Sequence, residues 1–251
     1  ITCAREASNH PALLLCLRQL GNVVSANNDY TLAVKMYEES LQIARDLGDQ
    51  SGVTSALNNL GLAGTLTGEY GQAHRYLEEA IQLAEQRGDR MAVALALGNM
   101  GIADHFAGND PLALEQLKRA IDLSRSVGSQ LVVAESSIWM GICLTSMGDL
   151  IAAQTQLREG LRVSVKTEQT TLAVGALVGF ANLTARQGDL EKAVKILALT
   201  MESPAVDDLI RGLVAKPLLD KLHAELSPQA FGLAWANGLS LELNEVIQSY
   251  E

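Results

Sequence analysis

The sequence predicts an all-α chain, a solenoid of antiparallel helical hairpins, on three observations. Landmark residues recur at an offset of 40. Within each copy the apolar residues fall at i, i+3, i+4 and i+7. Turn pairs, most of them containing glycine, recur in two series, so each copy holds two helices and two turns. Composition agrees with this class. Of 251 residues, 48% are hydrophobic and 4% aromatic, so alanine, leucine and glycine must fill the core, which suits closely spaced helices.

The register is visible along the whole repeat region. Leu20-Gly21 is echoed by Leu60-Gly61, Met100-Gly101, Met140-Gly141 and Phe180-Ala181. Ala33, Ala73, Ala113, Ala153 and Ala193 hold one position, and Leu41, Ile81, Ile121, Leu161 and Met201 another. One turn series runs through Asn28-Asp29, Gly68-Glu69, Gly108-Asn109, Gly148-Asp149 and Gly188-Asp189. The second holds Gly48-Asp49, Gly88-Asp89 and Gly128-Ser129.

In the first helix of a copy, Val53, Ala56, Leu57, Leu60, Gly61 and Gly64 make one face, as do Leu13, Cys16, Leu17, Leu20, Gly21 and Val24 one repeat earlier. In the second helix Tyr70, Ala73, Leu77, Ala80, Ile81 and Ala84 face inward and leave Glu78, Glu79 and Glu85 to solvent. A lone hairpin cannot bury its apolar face, so equal hairpins must stack. Glycine costs a helix about 1 kcal/mol against alanine, and its return at Gly21, Gly61, Gly101 and Gly141 predicts a close crossing there.

Leu60-Gly61, Ala73, Leu77 and Ala80, with Met100-Gly101, Ala113, Leu117 and Ala120, resemble the tetratricopeptide repeat pattern in a 40-residue variant. The likeness covers residues 11 to about 201 and implies a right-handed superhelix of five hairpins. Its longer repeats are similar to those of spindle-orientation adaptors, kinesin light chains and bacterial multi-domain regulators.

Residues 1–10 read as a lead-in and residues 202–251 as capping helices. Glu202-Ser203-Pro204 ends the register, and residues 205–226 are expected to form one or two short helices broken at Pro217. Ser227-Pro228 should start a helix through Trp235 that Gly238 stops, and Ser240 should cap a last helix through Ile247. Phe231, Trp235 and Ile247 would cover the open end of the stack. Phe231, Ala234-Trp235-Ala236, Gly238 and Leu239-Ser240-Leu241-Glu242 also resemble a segment that closes the repeat region of bacterial signal-transduction ATPases and modular transcription regulators.

A net charge of −10 opposes a general nucleic-acid surface, whose affinity draws on clustered Lys and Arg. Cys3, Cys16 and Cys143 have no metal or disulfide spacing and read as reduced thiols of a cytosolic protein. There is no uninterrupted run of eighteen apolar residues, which predicts no membrane contact. The start ITCAREASNH has neither leader nor initiating Met, so the chain reads as a piece of a longer polypeptide. The glycines of LNNLGLAGTLTGEY belong to a helix and its end and form no phosphate loop.

Family resemblance places the ligand-facing positions on the first helices, around the Leu-Gly landmark. There stand Arg18, Gln19, Asn22, Asn58, Asn59, Asn99 and Trp139, and His105, Phe106 and Trp139 could make an aromatic wall further along, with buried packing the alternative for Phe106. A carboxamide carries both donor and acceptor and can pair with a peptide backbone whatever its side chains. The same amides could instead be hydrated or bond one another between helices. Four scattered histidines and the off-pattern Asp104 give no metal or catalytic set, so neither metal nor cofactor is expected.

The resulting expectation is a non-catalytic protein- or peptide-recognition or sensor domain of a larger bacterial signalling or transcription-regulatory protein with a nucleotide-binding switch. Its partner would sit in the concave groove and could be another domain of the parent chain. A stand-alone assembly adaptor is the alternative, and a hydrolase or metal enzyme in the groove is the least favoured reading.

Overall fold

The computed structural model describes residues 10–27 and 29–250. Most of the predicted lead-in, Cys3 and Asn28 of the first turn lie outside the described residues. The chain divides into two compact units, ending at Val127 and beginning at Gly128.

The first unit contains α1 (His10–Ala26), α2 (Tyr30–Asp46), α3 (Gln50–Leu66), α4 (Tyr70–Gln86), α5 (Arg90–Phe106) and α6 (Asp110–Val127). The second continues with α7 (Gln130–Met147), α8 (Leu150–Lys166), α9 (Thr170–Arg186) and α10 (Leu190–Met201). No strand occurs among the described residues. First helices begin at 10, 50, 90, 130 and 170, and second helices at 30, 70, 110, 150 and 190, so the 40-residue period is two equal halves.

Turn chemistry sets this spacing. Gly48, Gly68, Gly88, Gly108, Gly128, Gly148 and Gly188 all have positive φ, the left-handed conformation that ends a helix at little cost only for glycine. Aspartates that follow serve both neighbours. The Asp49 N–H bonds Ala44 O at 2.9 Å to close α2, and its Oδ1 accepts from Gly52 N at 2.9 Å to open α3. Asp89 does the same with Ala84 and Ala92, and the Ala92 amide, aided by Arg87, holds its carboxyl below the usual range. Arg87-Gly88-Asp89 is thus a helix junction. At position 168 the series has no glycine, and Glu168 takes φ 56°.

Ala33, Ala73, Ala113, Ala153 and Ala193 are all fully buried, so equivalent positions share equivalent surroundings. Each landmark glycine receives a side chain from the second helix of its own hairpin: Gly21 lies under Tyr37, Gly61 under Leu77, Gly101 under Leu117 and Gly141 under Leu157. A Cβ at Gly101 would stand 2.6 Å from Leu117 Cγ. Each buried leucine stabilises the stack by about 1.5–3 kcal/mol. By length and composition α7 could cross a membrane, but 67% of that window is buried inside the protein, as befits a core helix.

Beyond α10 the structure departs from expectation. Residues 208–225 form nearly one helix: α11 (Asp208–Ile210), a π-helical turn (Arg211–Ala215) and α12 (Lys216–Glu225). Pro217 does not break it. The Lys216 N–H bonds Arg211 O five residues back, and this widened turn relieves the clash a proline ring makes with an α-helical carbonyl. Ser227 caps α13 (Pro228–Leu239) through Ala230 N at 3.2 Å, as expected. Gly238 does not stop α13: it is buried inside the helix, where a Cβ would strike Lys195 O and Ala198 Cβ of α10. Ser240 donates back to Asn237 O at 2.8 Å and so finishes α13 instead of capping α14 (Leu243–Tyr250).

Ile247 is buried, whereas Phe231 and Trp235 are half-buried and stack on each other at 5.9 Å between centroids. With Leu219, Asp220 and His223 they line an open depression of about 400 Å³. Tyr250, unremarked in the sequence, places its ring 4.5 Å from the fully buried Phe180.

Candidate partner-binding surface

In the first unit the predicted amides form a ladder across successive first helices. Asn59 Nδ2 of α3 donates to Asn22 Oδ1 of α1 at 3.4 Å, and Asn99 Nδ2 of α5 donates to Asn58 Oδ1 of α3 at 2.9 Å. Tyr37 of α2 donates to the same Asn22 Oδ1 at 2.9 Å, and burial pushes its phenol up to about 12, so it remains a donor. The adjacent pair Asn58-Asn59 therefore reaches one neighbour on each side. A helix interior tolerates asparagine at up to about 0.7 kcal/mol, and inter-helix bonds return a similar amount. The amides bond one another, yet each keeps donor or acceptor sites that the ladder does not use. Arg18 is half-buried and Gln19 exposed on α1.

His105 lies beyond the amide ladder, toward the C-terminal end of α5. In the last turn of α5 its Nδ1 is hydrogen-bonded to Asp110 in the first turn of α6, and its ring meets Phe106 edge-on at 4.8 Å. Both residues are half-buried at the hairpin turn, which their position at the end of α5 dictates.

Trp139, in the second unit, holds the position of Asn59 two repeats on and of Asn99 one repeat on, but only 3% of it is exposed. Part of its covering is supplied from farther along the chain. After α10 the segment Val206–Ile210 returns to the first helices, so that Trp139, Glu135, Thr171, Asp207 and Ile210 wall a small cavity of about 40 Å³. Val206, Leu209 and Ile210 are buried, and Ile210 Cδ1 fills the notch at Gly175 of α9, 2.7 Å from where a Cβ would lie. Burial, reinforced by the Asp207 charge, pushes the Glu135 carboxyl up to about 7.

The off-pattern Asp104 also proves to have a partner. It is 3% exposed, and its Oδ1 is hydrogen-bonded to His74 Nδ1 of α4 at 3.1 Å. Burial raises its pKa, against the pull of His74. Glu78, Gln116 and Arg119 surround His74 in a depression of about 330 Å³ over Ile81 and Met100. None of its lining residues is Ser, Thr or Cys, so the dyad adjoins no nucleophile there.

Two tetratricopeptide-repeat models match the chain, over residues 16–51 and residues 52–126. Together the two matches span residues 16–126. Among solved structures, BtubC (BKLC) from P. vanneervenii is similar with a TM-score of 0.60 at 17% identity, over 80% of this chain and 83% of that one. A kinesin-light-chain-like array of nearly identical TPR-like repeats from Podosopora anserina is similar with a TM-score of 0.57 at 16% identity, over 76% and 94%. At such identities the likeness is one of fold: an all-α, tetratricopeptide-like solenoid. No curated protein sequence matches the chain significantly. Tetratricopeptide repeats are protein–protein interaction scaffolds, and the fold is typically non-catalytic.

Proposed function

We propose that this chain is a recognition module that holds a protein or peptide partner on its first-helix face, and that it carries out no chemistry of its own. The observation that supports this most is the ladder of Asn22, Asn59, Asn58 and Asn99, a row of half-exposed and exposed amides with bonding capacity to spare. Such a row suits the backbone of an extended segment, whose N–H and C=O groups alternate.

The wider context we propose is a larger bacterial signalling or transcription-regulatory protein in which a nucleotide-binding switch accompanies the repeats. The wording of α13 and the residues after it is what supports this reading. A phosphate-binding loop encoded upstream in the same reading frame is its test.

For the surface itself the test is the double variant Asn59→Ala with Asn99→Ala. Helicity and thermal unfolding should change little, while the amount of partner retained per folded molecule in a pull-down should fall. Unchanged retention by a folded variant would overturn the assignment of these amides.

A further inference from the structure

The first-helix face is open in one unit and filled in the other. Leu15 and Leu95, which share the repeat position of Glu135 and Gly175, are 49% and 37% exposed in the first unit. In the second unit Val206–Ile210 covers this face, with Ile210 over Gly175 and Trp139 shut beneath. Shape is well matched, since glycine at 175 leaves the notch that an isoleucine side chain fills.

Charge is not matched. Docking brings the Asp207 carboxylate to the Glu135 carboxylate, and no ion pair or hydrogen bond to Glu135 occurs among the described residues. The other groups facing Glu135 from α9, Thr171 and Leu172, are neutral. Burial, together with the Asp207 charge, raises the neighbouring Asp208 carboxyl against the attraction of Arg211. Asp207 itself is held in place as the N-cap of α11, accepting from Leu209 N at 2.9 Å. Removing a half-buried carboxylate from water beside a second one opposes docking whenever both are ionised.

We propose that Val206–Ile210 is a displaceable occupant of this face, and that the partner replacing it is an aliphatic peptide segment with a lysine or arginine where Asp207 now sits. This rests on the first-helix reading of function and adds its regulation and the chemistry of its partner. A basic residue there pairs with Glu135 in a site shielded from water, where such pairs are strongest. Glu135 has a raised pKa in the docked form, so docking is complete below the ordinary carboxylate range and weakens as pH rises through about 7.

Trp139 and Trp235 are the two tryptophans, so Trp235→Phe leaves Trp139 as the reporter. Acrylamide quenching of Trp139 should rise several-fold between about pH 5 and about pH 8. Glu135→Gln and Asp207→Asn, which keeps the cap, should each flatten that rise. At the higher pH, a labelled peptide of residues 203–214 and its Asp207→Lys analogue are titrated into the intact chain. The analogue should bind about tenfold tighter, the worth of one charge-assisted pair, and Glu135→Gln should erase the difference. Quenching that ignores pH overturns displaceability, and equal peptide affinities overturn the basic partner. If either occurs while Asn59→Ala with Asn99→Ala still weakens partner retention, the latch fails and the first-helix reading survives.

Discussion

His74 and Asp104 join the second hairpin to the third through a 3.1 Å hydrogen bond, and the remaining carboxylate oxygen, Oδ2, is buried without a partner. Equivalent positions hold Val24, Gly64, Leu144 and Thr184, so the seam does not require a charge. Asp104→Leu should therefore stabilise the fold by about 1–3 kcal/mol at neutral pH, the usual penalty of an unsatisfied buried group. Because burial raises the Asp104 pKa, the protonated form suits the fold, and the cost appears as pH rises through the folded value. Urea unfolding at about pH 4 and pH 7 should show a larger gain at pH 7.

Glu168 stands in left-handed backbone at φ 56°, where seven glycines stand in equivalent turns. Glu168→Gly should raise stability by up to about 1 kcal/mol, since relief of the strained φ exceeds the added freedom of the unfolded chain. A lower melting temperature for the variant would contradict this.

Glycines inside helices divide by what surrounds them. Gly101→Ala forces a Cβ against Leu117 Cγ and Ala113 O and should cost about 1–3 kcal/mol. Gly232→Ala in α13 meets nothing within 4 Å and should gain up to about 1 kcal/mol. Thermal unfolding of the two variants should move in opposite directions.

The Asn58–Asn99 bridge should register as a coupling. In a double-mutant cycle of Asn58→Ala and Asn99→Ala, the interaction energy expected for the 2.9 Å bond is about 0.5–1.5 kcal/mol. Additive effects would mean that the bridge contributes nothing in solution.

The repeat architecture was readable because period, helical face and turn chemistry repeat together: Ala73 and Ala113 announce the same burial, and Gly48-Asp49 the same turn. Single departures were harder to read. Glu168 was hidden because the turn series was followed by its glycines and not by its 20-residue spacing. Pro217 reads as a breaker in any local rule, whereas a π turn one residue wider than the α-helical turn absorbs it. The fate of Trp139 depended on a segment about 70 residues away returning to cover it, and local periodicity carries no information about such a return. Asp104 was visible as off-pattern, but His74, 30 residues away, carried no mark that would pair the two. The amides stood out by type and repeat position, and of the alternatives left open for them, the bonds between helices needed coordinates to be seen.

Asp49 and Asp89 make chemically interchangeable joints, each finishing one helix and starting the next. Excising residues 49–88 would splice Gly48 directly onto Asp89 and regenerate an identical Gly-Asp junction. Recombination between sister copies can therefore lengthen or shorten the array by whole modules without inventing new connector chemistry, and evolutionary change in reach need not disturb the packing rules already in use.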